Sequence, residues 1–289
     1  MTVGSVPGQP RVRYSHRRPF SVKAALTTLV SKLPIVADYY AYHRVFPRTA
    51  NAYRGVFASF AEATQAIPPT MQAGYNHASL HGVDQAQTLT LEDLNTFQPI
   101  DYPVLVWLRE ALGNSTTVFD LGGNLGQGYY AYRRFLSYPV GLQWQVCDVP
   151  EKVKVGQELI QRIPSPGLSY TSRFAAADGQ DILLTCGTLQ YLELSLAEIV
   201  RPLAVKPRHL IINHVPFYSG AQYITLQNLW GSYAPYKIQN DGEFVADLAA
   251  LGYQLVDRWR IDRTCTIPFH PDRFVAAYHG FYFRQVTAV

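Results

Sequence analysis

The sequence predicts an α/β fold: a doubly wound, mostly parallel sheet with a C-terminal antiparallel hairpin and a helical N-terminal cap. Three observations predict it. From residue 116 onward, β-branched and aromatic runs alternate with helical patterns, the order that builds parallel strands joined by crossover helices. The first run ends at Asp120 and is followed by Gly122-Gly123-Asn124-Leu125-Gly126 and a helical segment. Strand, tight turn and helix N-terminus form the corner at which an open α/β sheet offers backbone N–H groups to a ligand. Finally, two β-rich stretches, 253–261 and 274–285, close the chain across a Pro-containing loop, as an antiparallel pair would.

Taken in order, residues 1–20 are a basic tail without acids, expected to be solvated, with contact to an anionic membrane surface as the other reading. Residues 21–114 read as the helical cap. Helices are expected at 21–30, 37–45 and 51–66, the last from the spacing of Tyr53, Val56, Phe57, Phe60, Ala61 and Ala63, with Pro68-Pro69 as its stop. Gly74-Tyr75-Asn76-His77 falls in a polar loop, and 103–112 reads as a helix with Pro at its first turn.

Residues 115–289 form the expected α/β domain. A strand at 141–147 runs into Asp148, and a helix at 150–163 starts with Pro150. Strands follow at 168–174 and 181–186, the latter ending at Gly187. Ser195 and Glu198 form a capping box for a helix at 195–203. A strand at 208–215 stops at Pro216, and a helix at 241–251 is closed by Gly252.

Composition bounds the function. A chain of 289 residues with 48% hydrophobic and 16% charged residues is globular and long enough for one large core plus an appendage. Six of its positive charges (Arg11, Arg13, Arg17, Arg18, Lys23 and Lys32) precede the first acid, Asp38, so the net charge of +4 becomes −2 over the remainder. The core therefore lacks the basic field that nucleic acid requires. No apolar run reaches the ~18 residues of a membrane span. The start lacks an apolar h-region, so no secretory leader is expected. Cys147, Cys186 and Cys265 are too few and too scattered for a disulfide framework or a zinc site, which suits a reducing cytoplasm.

The register of the glycines selects the ligand. A dinucleotide fingerprint, G-x-G-x-x-G, fails from both Gly122 and Gly123, and no Lys-Ser/Thr follows as in a Walker loop. What stands here is Asp120-Leu121-Gly122-Gly123-Asn124-Leu125-Gly126, an acid-x-Gly-x-x-x-Gly pattern. It resembles motif I of the class I S-adenosylmethionine-dependent methyltransferases. Residues 181–193 (DILLTCGTLQYLE), the closing Gly280-Phe281-Tyr282-Phe283-Arg284, Gly55 to Phe60 and Gly74-Tyr75 look like an uncharacterised bacterial family of methyltransferase-like proteins often associated with surface-polysaccharide gene clusters. The resemblance implies a Rossmann-like methyltransferase fold, S-adenosylmethionine as cofactor, and methyl transfer to a small-molecule or glycan-type acceptor. A nucleotide-cofactor oxidoreductase and a catalytically silent binding relative remain the other readings. A filled cleft beside Gly122 and Gly187 would favour the silent one.

The resemblance assigns cofactor contacts to Asp120, Gly122, Gly123, Asn124, Gly126, Asp148 and Gly187. Asp120 would orient the turn or meet the methionine end of the cofactor. Asp148 either accepts both ribose hydroxyls as a charged bidentate acceptor or caps the helix that begins at Pro150. Asp178 is either an adenine contact or a solvated loop acid. Tyr75, Gln190 and Tyr191 are the candidate acceptor contacts, while Leu189 reads as packing. His214, at the end of the fifth strand of the domain, is the first candidate for a general base; His77, His81 and His270 are further loop histidines. No His-carboxylate or cysteine grouping has metal-ligand spacing, and no Ser-centred nucleophile elbow is present.

Overall fold

A computed structural model describes residues 34–76 and 88–286. The basic tail, the expected helix at 21–30, His77 and His81 lie outside the described residues. The strands are β1 (Tyr53–Phe57), β2 (Gln72–Ala73), β3 (Thr117–Leu121), β4 (Gln143–Cys147), β5 (Leu168–Thr171), β6 (Ile182–Cys186), β7 (His209–Tyr218), β8 (Tyr223–Asn228), β9 (Ser232–Asn240), β10 (Tyr253–Ile261) and β11 (Tyr278–Gln285).

The main sheet has the order β5-β4-β3-β6-β7-β11-β10. Strands β3 to β7 are mutually parallel, and β11 lies antiparallel between β7 and β10. The order reverses at β3, between β4 and β6. In an open doubly wound sheet that switch point is where a crevice opens beyond the strand ends. The sheet is Rossmann-like and mixed, with the expected C-terminal hairpin in place.

Alternation along the strands divides the core. Val118, Leu184 and Ile211 pack on one face with Leu108 and Trp144. Their neighbours Phe119, Leu183, Leu210 and Ile212 pack on the other face with Ile199, Phe244 and Leu248. Because both faces are covered, the strands read as continuous apolar runs. The helix Tyr102–Leu112 buries Val104, Leu105 and Leu108 against the first face. The capping box at Ser195 and Glu198 forms as expected, and opens the helix Leu196–Val200.

Two expectations are corrected. Residues 51–66 are not one helix: β1 is followed by the short helix Phe60–Gln65, whose N-cap is Ser59. The apolar spacing that suggested a helix arises because Tyr53 and Phe57 serve different clusters. The N-terminal cap is accordingly mixed, since β1 pairs antiparallel with β8 and β2 runs parallel with β9. Nor does β7 stop at Pro216. It continues to Tyr218, where Phe217 and Tyr218 pair with Gln239 and Asn240 of β9. The hairpin β8–β9, over residues that carried no strand expectation, thus forms with β1 a second, antiparallel sheet that extends from the end of β7.

Pro235 sits inside β9, opposite Leu226. It is tolerated because the other side of β9 is paired only at Ser232 and Tyr233, with β2, and at Gln239 and Asn240, with β7.

Candidate active site

The glycine turn begins where β3 ends. Gly122 and Gly126 have φ of 74° and 83°, and Asn124 has φ of 55°, the left-handed region that Asn tolerates better than most residues. Backbone bonds close the turn: the Gly122 N–H donates to the Cys147 carbonyl (2.7 Å) and the Gly126 N–H to the Gly123 carbonyl (3.0 Å). The glycines are required by protein neighbours. A Cβ on Gly122 would overlap the Thr188 side chain, one on Gly123 would overlap the Asp120 carboxylate, and one on Gly126 would crowd Leu168 and Tyr170 at 3.1 Å. At Gly122 both the positive φ of the turn and the Thr188 side chain exclude a Cβ.

Two carboxylates flank the turn in different surroundings. Asp120 is 3% exposed, and its Oδ2 accepts from the Trp144 indole N–H at 3.0 Å. Burial pushes its carboxyl up to about 7 against the effect of that bond, and Asp148 adds to the rise. Asp148 accepts the Asn124 N–H on one oxygen (2.9 Å) and the Val149 N–H on the other (2.8 Å). The helix Pro150–Arg162 has Val149 as its N-cap and no side-chain cap, so the capping role considered for Asp148 is not the one observed. Its carboxylate instead ties the start of that helix to the glycine turn, leaving a lone pair on each oxygen. Burial raises the Asp148 carboxyl, opposed by these two bonds and by Lys152.

Two cavities open on either side of the turn and share Gly122, Asn124, Gln127 and Cys186. The larger, about 530 Å³, is lined in part by Asp148, Lys152, Phe174, Tyr75, Gly187 and Tyr191. The smaller, about 330 Å³, lies over Asp120, Asp101, Asn213, His214 and Arg263. Asn124 Oδ1 is buried without a hydrogen-bond partner, while its Nδ2 donates to Gln127 Oε1 at 3.1 Å. The cleft beside Gly122 and Gly187 is thus open, and Asn124, which lines it, carries an unmet acceptor.

The floor of the smaller cavity is a polar network. Asn213, fully buried, donates to the Ile100 carbonyl and to Asp101 Oδ1, each at 3.1 Å, and accepts the Trp259 indole N–H at 2.9 Å. Asn213 and His214 together face Gly280 across a bulge between β7 and β11. Gly280 has no side chain because the Trp259 ring occupies that space.

The bulge gives His214 φ of 61° and turns its ring toward Arg263, whose Nη1 lies 3.0 Å from Nε2. A guanidinium only donates, so Nε2 accepts and the ring proton sits on Nδ1. Burial, with Arg263 adding to it, pushes the imidazole down to about 4. In this arrangement His214 is neutral and its lone pair is engaged.

A cluster of tyrosines adjoins Tyr191, which with Tyr75 lines the larger cavity. Tyr278 Oη lies 3.0 Å from Tyr53 Oη and 2.9 Å from Tyr236 Oη. Tyr191 donates to Gln227 Oε1 at 2.6 Å, and the Gln227 amide donates to Asn51 and to Tyr53. The Tyr75 ring meets Tyr191 edge-on at 4.7 Å. Burial raises the phenols of Tyr75, Tyr191 and Tyr236, which keeps them protonated.

Of the residues singled out in the sequence, Gly122, Asn124, Asp148, Gly187, Tyr75 and Tyr191 line the larger cavity, and Asp120, Gly123 and His214 the smaller. Gly126 and Gln190 line neither. Gln190 is 2% exposed and its amide points toward the His214 carbonyl. Asp178 is a loop acid that accepts the Val205 N–H at 2.7 Å. Thr188, Lys152, Phe174, Asn213 and Arg263 were missed. Thr188 and Phe174 were within reach, since each closely follows a strand end.

No family model matches the chain, and no curated protein sequence is similar to it. Solved structures do match in chain path. An O-methyltransferase family protein from Burkholderia thailandensis is 13% identical, with 89% of this chain and 72% of that one covered and a TM-score of 0.49. The 1,6-didemethyltoxoflavin-N1-methyltransferase of the same organism, solved with S-adenosylhomocysteine, is 18% identical over 76% and 95% of the two chains, with a TM-score of 0.44. The CcbJ methyltransferase of Streptomyces caelestis is 12% identical over 71% and 96%, with a TM-score of 0.45.

Proposed function

We propose that the chain is an S-adenosylmethionine-dependent methyltransferase acting on a small-molecule or glycan-type acceptor. The observation that carries the reading is the 530 Å³ cavity at the switch point of the sheet, bounded by the glycine turn, the Asp148 carboxylate and Gly187-Thr188. The glycan alternative rests on the sequence resemblance, and a place in the cytoplasm rests on the three scattered cysteines. Among the described residues no helix is long and apolar enough to cross a membrane.

The residues present fit such a cofactor. Asp148 keeps one free lone pair on each oxygen for a pair of vicinal hydroxyls, and the orphaned Asn124 Oδ1 can accept from a ligand N–H or O–H. Phe174 offers an apolar surface beside them. When bound, S-adenosylmethionine supplies an electrophilic methyl group. The chain itself aligns the acceptor: Tyr75, Tyr191 and Leu192 border the same cavity as Gly187 and Thr188. Alignment and exclusion of water supply much of the acceleration of a displacement. His214 can take a proton only if Arg263 releases Nε2, so its first contribution is to hold Arg263 and to present Nδ1–H.

Calorimetric titration of the full chain with S-adenosylhomocysteine and with NAD tests the reading. Binding of the first and none of the second is expected. Tight NAD binding without S-adenosylhomocysteine binding would sink it.

A further inference from the structure

Among the described residues, the cation of the smaller cavity has no anionic counterpart. Arg263 is half-buried at its rim, with Nη1 donating to the neutral His214 ring and its guanidinium 5.3 Å from the centre of the Tyr278 ring. Among the described residues no carboxylate pairs with it. The two acids of the same cavity are occupied elsewhere: Asp101 accepts from Asn213, and Asp120 accepts from Trp144. Burial favours the neutral form of both.

A partly desolvated guanidinium fixed on two sides and lacking an anion is costly unless a ligand supplies the anion. Its planar donor fork matches a carboxylate. His214 fixes the direction of that fork, because the positive φ at the bulge aims its ring and Nε2 accepts one N–H.

We infer that Arg263, held by His214 and stacked on Tyr278, is the anchor for a ligand carboxylate in the cavity between the glycine turn and the end of β7. This rests on the methyltransferase reading for the identity of one possible source. The cavity shares Gly122 and Asn124 with the larger one, so a ligand crossing the turn can reach it. The carboxylate belongs either to the amino-acid end of the cofactor or to the acceptor. Arg263 is thus a binding residue, and His214 is a positioning residue acting through it.

The test uses the full chain and two matched pairs of probes, by calorimetry, on wild type, Arg263→Met and Arg263→Lys. The first pair is S-adenosylhomocysteine and its decarboxylated analogue. The second, added to protein saturated with S-adenosylhomocysteine, is benzoate and benzamide. In wild type the acid of one pair binds roughly ten- to a hundredfold more tightly than its neutral partner. Arg263→Met reduces that preference to about twofold or less, and Arg263→Lys, which keeps the charge and guards against a folding defect, restores part of it.

A preference in the first pair identifies the cofactor as the source; one in the second pair only, the acceptor. No preference in either pair, or one that survives in Arg263→Met, overturns the assignment. The affinity of 5′-methylthioadenosine, which lacks the amino-acid end, should be unchanged in the variants. If none of the nucleosides binds wild type, the cofactor reading fails separately. The benzoate pair on the free protein then decides the anchor alone.

Discussion

The glycine turn takes its polar groups from two adjacent β–α units, residues 120–128 and 147–152, whereas the tyrosine cluster gathers Tyr53, Tyr75, Tyr191, Tyr236 and Tyr278 from five separate stretches, and of these Tyr75 and Tyr191 line the larger cavity. In the first region the constraints come from the turn and from strands β4, β5 and β6 of the same parallel sheet or the segments that follow them, as when Asp148 accepts from Asn124. In the second, phenols more than two hundred residues apart share hydrogen bonds. The turn is thus held by contacts within the main sheet, and the tyrosine cluster by pairing between distant segments of the chain.

Four substitutions would break or sharpen that contrast. The largest effect is expected from Gly122→Val, which places a β-branched residue at positive φ and drives it into Thr188. It should lower stability by roughly 3 kcal/mol or more, read as a shift of the urea midpoint. Gly122→Ala combined with Thr188→Gly should recover part of the loss relative to Gly122→Ala alone. A Gly122→Val protein with the wild-type midpoint would mean that the turn is far looser than its bonds indicate.

Asp148→Asn is next. An amide accepts on one atom only, so one of the N–H groups of Asn124 and Val149 loses its partner, and apo stability should fall by about 1 kcal/mol. Loss of the charged acceptor should weaken S-adenosylhomocysteine binding by roughly ten- to a hundredfold. A lower melting temperature with unchanged affinity would restrict Asp148 to holding the turn.

Asp120→Asn has a pH-dependent sign. The folded carboxyl, raised to about 7, holds its proton where the unfolded chain has lost it. The stability this group provides is complete below the unfolded value and is lost as pH rises through 7. Asn can still accept from Trp144 and never ionises. Variant and wild type should therefore melt alike near pH 4, and the variant should be more stable at pH 8, by up to roughly 3–4 kcal/mol. Equal melting at pH 8 would show that Asp120 ionises without penalty.

Tyr278→Phe probes the tyrosine cluster. The hydroxyl it removes lies between two buried phenols, and Tyr53 keeps a donor in Gln227. A loss of about 1 kcal/mol is expected, with S-adenosylhomocysteine affinity within twofold of wild type. A large loss of cofactor affinity would merge the two regions into one unit.

The main sheet, the glycine turn, the positive-φ Asn124, the acids at the ends of β3 and β4, and the closing hairpin were all legible in the sequence. Each depends on neighbours close in the chain: apolar run length, turn chemistry, capping pairs, Gly and Pro positions. The hairpin β8–β9 was not legible. All six residues of β8 are buried, including Thr225, Gln227 and Asn228, so its polar residues read as loop although they face partners across the second sheet. A hairpin signal was present in two β-rich runs separated by Leu229-Trp230-Gly231, the last two at positive φ.

By itself the sequence determined the parallel sheet and the glycine turn at the end of its first strand, because these follow from periodicity and backbone sterics acting over a few residues. Only the tertiary structure decided that Gly122 and Gly123 are small for Thr188 and Asp120, that Asp148 binds the turn, and that the lone pair of His214 belongs to Arg263. Those are contacts between elements far apart in the chain, set by strand register and by a bulge in β7, and no local pattern encodes which side chain will fill a space left by a missing Cβ.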